Sequence, residues 1–517
     1  MTQLQPSIED LADELIIEIL DFLIGADQPS NSSSPVNPHD RLPRVDGPSY
    51  ARSESTELDR FRLVCKRFSR ISTPRKFARF DLRFGRDDFR RLEELLGMQL
   101  ACHVKYFTYM VRPFYKGSGW SQFFDGIDPE RFQTNKGRLQ DQTRILEENQ
   151  DQEMLLKAIG AFSSLQQVKL LRLQDIHDKG LLDRIHESSL EEALTLDWES
   201  ACTRAVTNLA ISLLASNCTS VRFVGPQISP EATGRLVQTP SATLSALGAR
   251  LACLDVTFYS GFDITSHMEA LSDVFHDFFL AAENLTTIHL GFEAPVPLDL
   301  RLDQVFHYTS WEKLRTLSIQ GWRLDSEEVI ALIRRHRRHL RDVRLDRIYL
   351  RHGSRWRDVL SVLHGEMDEI ERIDLRRINY ANYLDGGPAL NGANGHGNGH
   401  GTGIGTGNGN GHGSGSTGFY RPPHPLSVIV NHNTTSNPPL PPTSLLPAPK
   451  AVLNSDYLPS GSRGHTRSSS IYDLETLRKY SADVLEDNGI CVGPEQIPLW
   501  EAWVLASPRN LAQRKRA

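Results

Sequence analysis

Six cysteines in 517 residues are too few and too scattered to suggest a covalent or metal-bound framework. They stand at Cys65, Cys102, Cys202, Cys218, Cys253 and Cys491, with no CxxC pair and no Cys/His spacing suited to zinc. They read as reduced thiols, mostly buried as small apolar residues, in a cytoplasmic or nuclear protein. An excess of positive charge is also missing: 58 lysines and arginines face 64 aspartates and glutamates, for a net charge of -6. That balance argues against a general nucleic-acid binder. No run of about twenty apolar residues suggests a membrane span. The first apolar stretch is interrupted by Glu14, Glu18 and Asp21, unlike a secretory leader. HExxH, GxSxG and P-loop signatures are absent, and no carboxylate pair stands out from ordinary surface charge. The sequence therefore nominates no catalytic residue, no metal site and no cofactor.

Two stretches have the composition of disordered chain. Residues 24–57, with Ser32-Ser33-Ser34-Pro35, read as an insertion, and residues 386–469 as a linker. The linker is first Gly alternating with Asn, His, Thr and Ser, then proline-rich through Pro438-Pro439-Leu440-Pro441-Pro442. Within it, Gly413-Ser414-Gly415-Ser416-Thr417-Gly418 fits GxGxxG but follows no strand and opens no helix, so it does not read as a nucleotide site. His396, His400 and His412 are spaced along the same glycine chain with nothing to orient them as ligands. Arg467-Ser468-Ser469-Ser470 suits a basic-directed kinase, although Ser470 also reads as a helix cap.

The informative N-terminal stretch runs from Ile8 to Ile71. Leu11, Leu15, Ile16, Ile19, Leu20 and Leu23 recur at helical spacing, with Glu14, Glu18 and Asp21 on the opposite face. A second stripe holds Leu58, Phe61, Val64 or Cys65, Phe68 and Ile71. The run Val64-Cys65-Lys66, with Phe68 in an aromatic slot, together with Leu11, Glu14, Ile19, Leu20 and Leu23, resembles the F-box, a small three-helix module. Two features depart from its pattern. Ala12 stands where the family usually has proline, which only pre-sets a φ angle that alanine also adopts. The loop between the helices is about thirty residues longer than usual, a small entropic cost.

The resemblance implies a partner, the Skp-family adaptor that joins F-box proteins to a cullin in SCF-type ubiquitin ligases. It implies adaptor contacts at Leu11, Leu15, Ile16, Ile19, Leu20, Leu23, Leu63, Val64, Cys65, Lys66 and Phe68. A module this small buries too little to be stable alone, so another polypeptide is expected to complete its apolar face.

Further on, one figure recurs: apolar, two variable, apolar, one variable, apolar. It opens at Leu165, more loosely at Leu190, then at Cys218, Leu251, Leu285, Leu314, Leu340 and Ile370. These starts lie roughly 26 to 34 residues apart, overlapping the upper end of the leucine-rich-repeat period. Ser229-Pro230-Glu231 and the capping box Asp325-Ser326-Glu327-Glu328 mark helix starts between figures. The asparagine position of that repeat is occupied by Leu173, Pro226, Glu293, Trp322, Ile348 and Ile378, so the expected arc is irregular.

The expected fold class is thus α/β: an all-α F-box over 8–80 and an irregular leucine-rich-repeat-like solenoid over 81–385, the alternative for the latter being an unrelated α/β fold with a parallel sheet. A C-terminal helix and cap over 470–510 would close it, with Ile497 to Leu505 docking on the open end. The variable positions Lys169, Arg222, Asp255, Thr257, His289, Ser318 and Arg344 would line the concave sheet and meet an unknown protein target. The run Arg334-Arg335-His336-Arg337-Arg338-His339, extended by Arg341, Arg344, Arg347, Arg351, Arg355 and Arg357, reads three ways: a site for an acidic or phosphorylated target, a nuclear import signal, or a solvated helix face. The expected function is a non-catalytic substrate receptor of a cullin-type ligase; the alternative is a repeat scaffold acting outside any ligase.

Overall fold

Alternation of apolar and polar side chains along successive strands generates most of this architecture. The structure, a computed structural model, describes residues 11–25, 58–126, 129–188, 190, 193–382 and 477–507. Described residues up to Lys76, with those of Gln174–Ser189, form a first unit, and the rest form a second.

In the first unit the Asp13–Gly25 helix packs on the Lys66–Lys76 helix. Ile16, Leu20, Phe68 and Ile71 form its interior, flanked by half-buried Leu58, Phe61 and Cys65. Phe61 stacks flat on Phe68 with ring centroids 4.4 Å apart. Opposite charges pin the helices together at both ends: Asp13 accepts from Arg67 at 2.6 Å and Arg70 at 2.7 Å, and Asp21 accepts both arms of the Arg75 guanidinium at 2.7 and 2.8 Å.

The second unit contains strands β1 (Arg79–Arg83), β2 (Tyr106–Val111), β3 (Phe114–Lys116), β4 (Gln167–Arg172), β5 (Thr195–Asp197), β6 (Val221–Ile228), β7 (Leu251–Tyr259), β8 (Thr287–Glu293), β9 (Thr316–Leu324), β10 (Asp342–Leu350), β11 (Arg372–Arg376) and β12 (Asn379–Tyr380). Ten of them make one parallel sheet in the order β1-β2-β4-β6-β7-β8-β9-β10-β11, with β12 also paired to β10. The fold is mixed α/β, with helices between strands that neighbour one another in sequence and in the sheet.

Register turns the recurring apolar positions into columns. One runs Phe80, Phe107, Val168, Phe223, Leu254, Ile288, Leu317, Val343, Ile373. The next holds Leu82, Tyr109 and Leu170 at one end and Val256, Leu290, Ile319, Leu345 and Leu375 at the other. Nearly all are buried, and each fully buried aliphatic side chain contributes about 1.5–3 kcal/mol of transfer free energy.

Three expectations need correction. The Leu190 figure does not join this sheet: β5 pairs antiparallel with β3 instead. Ala193 and Leu194 are adjacent apolar positions, which strand alternation cannot place on one face. The Cys218 figure is two residues out of phase, because Phe223, not Val221, pairs with Leu254 after a bulge around Ala252. At Ser229 the hydroxyl bonds the Glu231 carboxylate rather than capping a helix, and the helix there is only Glu231–Gly234. The Asp325 start fares better: its N–H donates to the Glu328 carboxylate at 2.9 Å.

An apolar spine occupies the positions where the sequence lacks an asparagine ladder. Leu173, Trp322, Ile348 and Ile378 are buried at these positions. Each of the last three follows a residue with left-handed backbone: Gly321 at φ +77°, Arg347 at +51° and Arg377 at +50°. That turn lets side chains on both sides of it point inward. The Trp322 ring meets Phe292 edge-on at 4.8 Å, and Phe292 stacks on Phe258 at 5.5 Å.

The last described segment closes the sheet's final edge. The Gln496–Leu505 helix contacts β11 and the Trp356–Gly365 helix, burying Trp500 and Trp503. Trp503 stacks on His364 at 4.1 Å, and the Leu375 N–H donates to the Glu501 carboxylate at 2.7 Å. The helix expected to start at Ser470 begins outside the described residues; Val484 lies in the short turn Ala482–Leu485. Both proline- and glycine-rich segments also lie outside them, apart from the first residues of the insertion, which end the Asp13–Gly25 helix. Of the cysteines only Cys202 and Cys253 are buried; Cys102 and Cys491 are exposed.

Two outcomes follow from this packing. A Cβ on Gly321 would sit 1.9 Å from the Phe292 carbonyl oxygen, whereas Gly353, also left-handed at φ +89°, has nothing within 4 Å. Gly321→Ala is expected to lower unfolding free energy by about 2–4 kcal/mol and Gly353→Ala by about 1, read from urea midpoints; equal losses would contradict the spine. Burial, reinforced by Asp374 and opposed by the Leu375 N–H and Arg376, pushes the Glu501 carboxyl from 4.5 up to about 7. The folded state then holds this proton more tightly than the unfolded one, so stability falls as pH rises from about 4.5 to about 7, by up to about 3 kcal/mol. Glu501→Gln keeps an oxygen for the Leu375 N–H; it is expected to lose that part of the slope and to be the more stable chain at pH 8 in a denaturant titration.

Candidate functional site

On the Asp13–Gly25 helix the apolar residues divide between two faces. Ile16 and Leu20 are each 1% exposed, while Leu15 and Ile19, one turn apart, are 48% and 40% exposed. The turn before the Lys66–Lys76 helix leaves Leu63 85% and Val64 58% exposed. Such residues at such exposure are an unusual concentration for so small a unit. The other residues expected at an adaptor contact are distributed differently. Phe68 is buried with Ile16 and Leu20, so these three form the module's own interior instead of a docking surface. Leu11 and Cys65 are half-buried and Lys66 is exposed. The side chain of Leu23 is not among those described. The Asp13–Arg67 and Asp21–Arg75 pairs went unforeseen, although an acidic first helix facing a basic second one was the signal for them.

The second candidate surface is the sheet face opposite the apolar columns. Register lines up Asp81, Thr108, Lys169, Val224, Asp255, His289, Ser318, Arg344 and Asp374 in one row. Arg222 lies in the row before it and Thr257 in the row after. All seven residues nominated from sequence therefore share this face. They are not equally open. Arg222 is exposed, and Lys169, Asp255 and Arg344 are half-buried. Thr257, His289 and Ser318 are buried, because they hydrogen-bond one another: the His289 ring lies 3.2 Å from the Thr257 hydroxyl through Nε2 and 2.7 Å from that of Ser318 through Nδ1. They support the face rather than offer it to a partner.

The electrostatics of this face are mixed. Arg222 pairs with Asp255 at 3.3 Å, and Asp346 accepts both arms of Arg377 at 3.0 and 2.6 Å. Burial lowers the Lys169 ammonium, against the pull of Asp255 and Asp81, and pushes the Cys253 thiol up to about 11. At the end of β4 the Arg172 guanidinium stacks 4.2 Å over the Trp198 ring and 5.8 Å from that of Tyr259; burial lowers its basicity too.

The arginine-rich run is largely occupied by internal partners. Arg334 forms a two-armed pair with Glu366 at 2.6 and 2.8 Å, and Arg335 lies over the Tyr308 ring. His336 is buried against Trp311, and burial brings it down to about 4, so it adds no positive charge at neutral pH. Arg341 pairs with Glu369 and Glu371, and Arg351 with Asp299, Asp325 and Glu328. Arg337 and Arg338 remain exposed. This pattern favours a solvated, internally compensated face.

Among the described residues no group of three His, Cys, Asp or Glu could hold a metal ion, and no helix is long and apolar enough to cross a membrane. No protein-family model matches the chain, and no curated protein matches it in sequence.

If the hydroxyl–imidazole–hydroxyl chain is a support, Ser318→Ala leaves a buried ring nitrogen without its partner. It is expected to cost about 1–3 kcal/mol in urea unfolding at pH 7, and an unchanged midpoint would contradict that role.

Proposed function

We propose that this chain is an F-box-type substrate receptor of a cullin-type ubiquitin ligase. Its N-terminal helices bind a Skp-family adaptor, and the polar face of a degenerate leucine-rich-repeat solenoid binds a protein target. The observation that carries this reading is the exposure of Leu15, Ile19, Leu63 and Val64 beside a small cluster of four buried apolar residues, Ile16, Leu20, Phe68 and Ile71. The chain leaves that apolar area in water, and docking on a partner would remove it. The repeat reading rests on apolar columns that recur from strand to strand.

The proposed mechanism is proximity. One unit holds the adaptor and the other holds the target, which raises the target's effective concentration beside a ubiquitin-charged enzyme bound elsewhere in the assembly. The chain does no bond chemistry in this scheme.

The test is co-purification of adaptor with the full chain and with a Leu15→Asp, Val64→Asp variant. Placing two charges in a desolvated contact is expected to weaken adaptor binding by at least about 100-fold. Because both side chains are exposed, the variant keeps its thermal midpoint within about 2 °C. Adaptor recovery equal to that of the unaltered chain, or none with either chain, would overturn the reading.

A further inference from the structure

Beneath β6 and β7 the second unit contains an apolar cavity of about 120 Å³, partly open to the surface. Its floor is formed by column residues Leu254 and Val256, and Leu244 of the Ser241–Gly248 helix walls it. Half-buried Leu247, Phe275 and Phe278 also line it. Thr233 is the only lining residue with a polar side chain, and its hydroxyl already donates to the Pro230 carbonyl at 2.7 Å. The cavity falls where the figures are most widely spaced, from Cys218 through Leu251 to Leu285, and the additional residues there form short helical pieces, Glu231–Gly234, Arg235–Gln238 and Ser241–Gly248.

We propose that this cavity is a binding site for a small uncharged hydrocarbon group, an aromatic ring or a short alkyl chain. Close-packed interiors keep few voids larger than a water molecule, and a void without hydrogen-bond partners does not hold water well. An apolar cavity of about 150 Å³ stays dry and admits benzene. The cavity here is of that order, and its walls offer contacts to carbon and almost nothing to a charged or hydrogen-bonding ligand. The ligand is therefore selected by shape and apolarity, and a carboxylate on the same ring excludes it because the charge would be desolvated without a partner. This site is independent of adaptor binding, and a failure here would leave the proposed receptor role untouched.

The experiment is a thermal-unfolding series on the full chain with benzene or benzoate, repeated with two variants that place a ring in the cavity, Ala210→Phe and Leu244→Phe. Benzene near its solubility limit is expected to raise the midpoint of the unaltered chain by at least 2 °C, and equimolar benzoate to leave it unchanged. Whichever filled variant folds should lose at least three-quarters of the benzene shift. No benzene shift in the unaltered chain, an equal shift with benzoate, or a full shift in a folded filled variant would each overturn the site. Should neither variant fold, titration calorimetry of benzene into the unaltered chain decides: saturable binding near one ligand per chain supports the site, and none overturns it.

Discussion

An apolar side chain has to be covered by something, and this chain meets that demand in two different ways. In the second unit it covers itself: most strands of the main sheet present two apolar positions inward, and they gain their cover from the strands on either side and the helices between. In the first unit it does not. Ile16, Leu20, Phe68 and Ile71 suffice to hold two helices together, but Leu15, Ile19, Leu63 and Val64 stay in contact with water. The first solution yields a long regular sheet, the second an exposed apolar surface.

The same demand explains the departures from regularity. Toward the ends of the later strands, Trp322 and Ile348, and Ile378 after β11, are buried. The backbone bends into the left-handed region at 321, 347 and 377 to accommodate them, with glycine at the first and arginine at the other two. At the far edge, where no further strand follows among the described residues, Trp500 and Trp503 from the last described helix cover the end of the sheet.

Much of the sheet was legible in the sequence because its signal is local. Positions 254, 288, 317, 343 and 373 stand three residues after their figure's first apolar residue, and pairing brings them into register. What escaped depended on pairing partners that lie far away in the chain. β6 pairs two residues out of phase with its figure past the one-residue bulge at Ala252, and β5 found β3, about eighty residues earlier, rather than the main sheet. The candidate sites were legible in the same partial way. Alternation put all seven nominated polar residues on one face, but not the mutual hydrogen bonds that bury Thr257, His289 and Ser318. Helical spacing marked the apolar residues of the first helix. It could not say which of two adjacent stripes, 15 and 19 or 16 and 20, its partner helix would cover, because they lie about 100° apart on the same helix.

The central claim is that the uncovered side chains of the first unit are completed by a separate adaptor. Hydrogen–deuterium exchange on the full chain, with and without saturating Skp-family adaptor, tests it most directly. The account predicts slower exchange of amides in residues 13–25 and 58–76 on adaptor addition, with those of β7 to β10 unchanged. Unaltered exchange over 13–25 and 58–76 would contradict it.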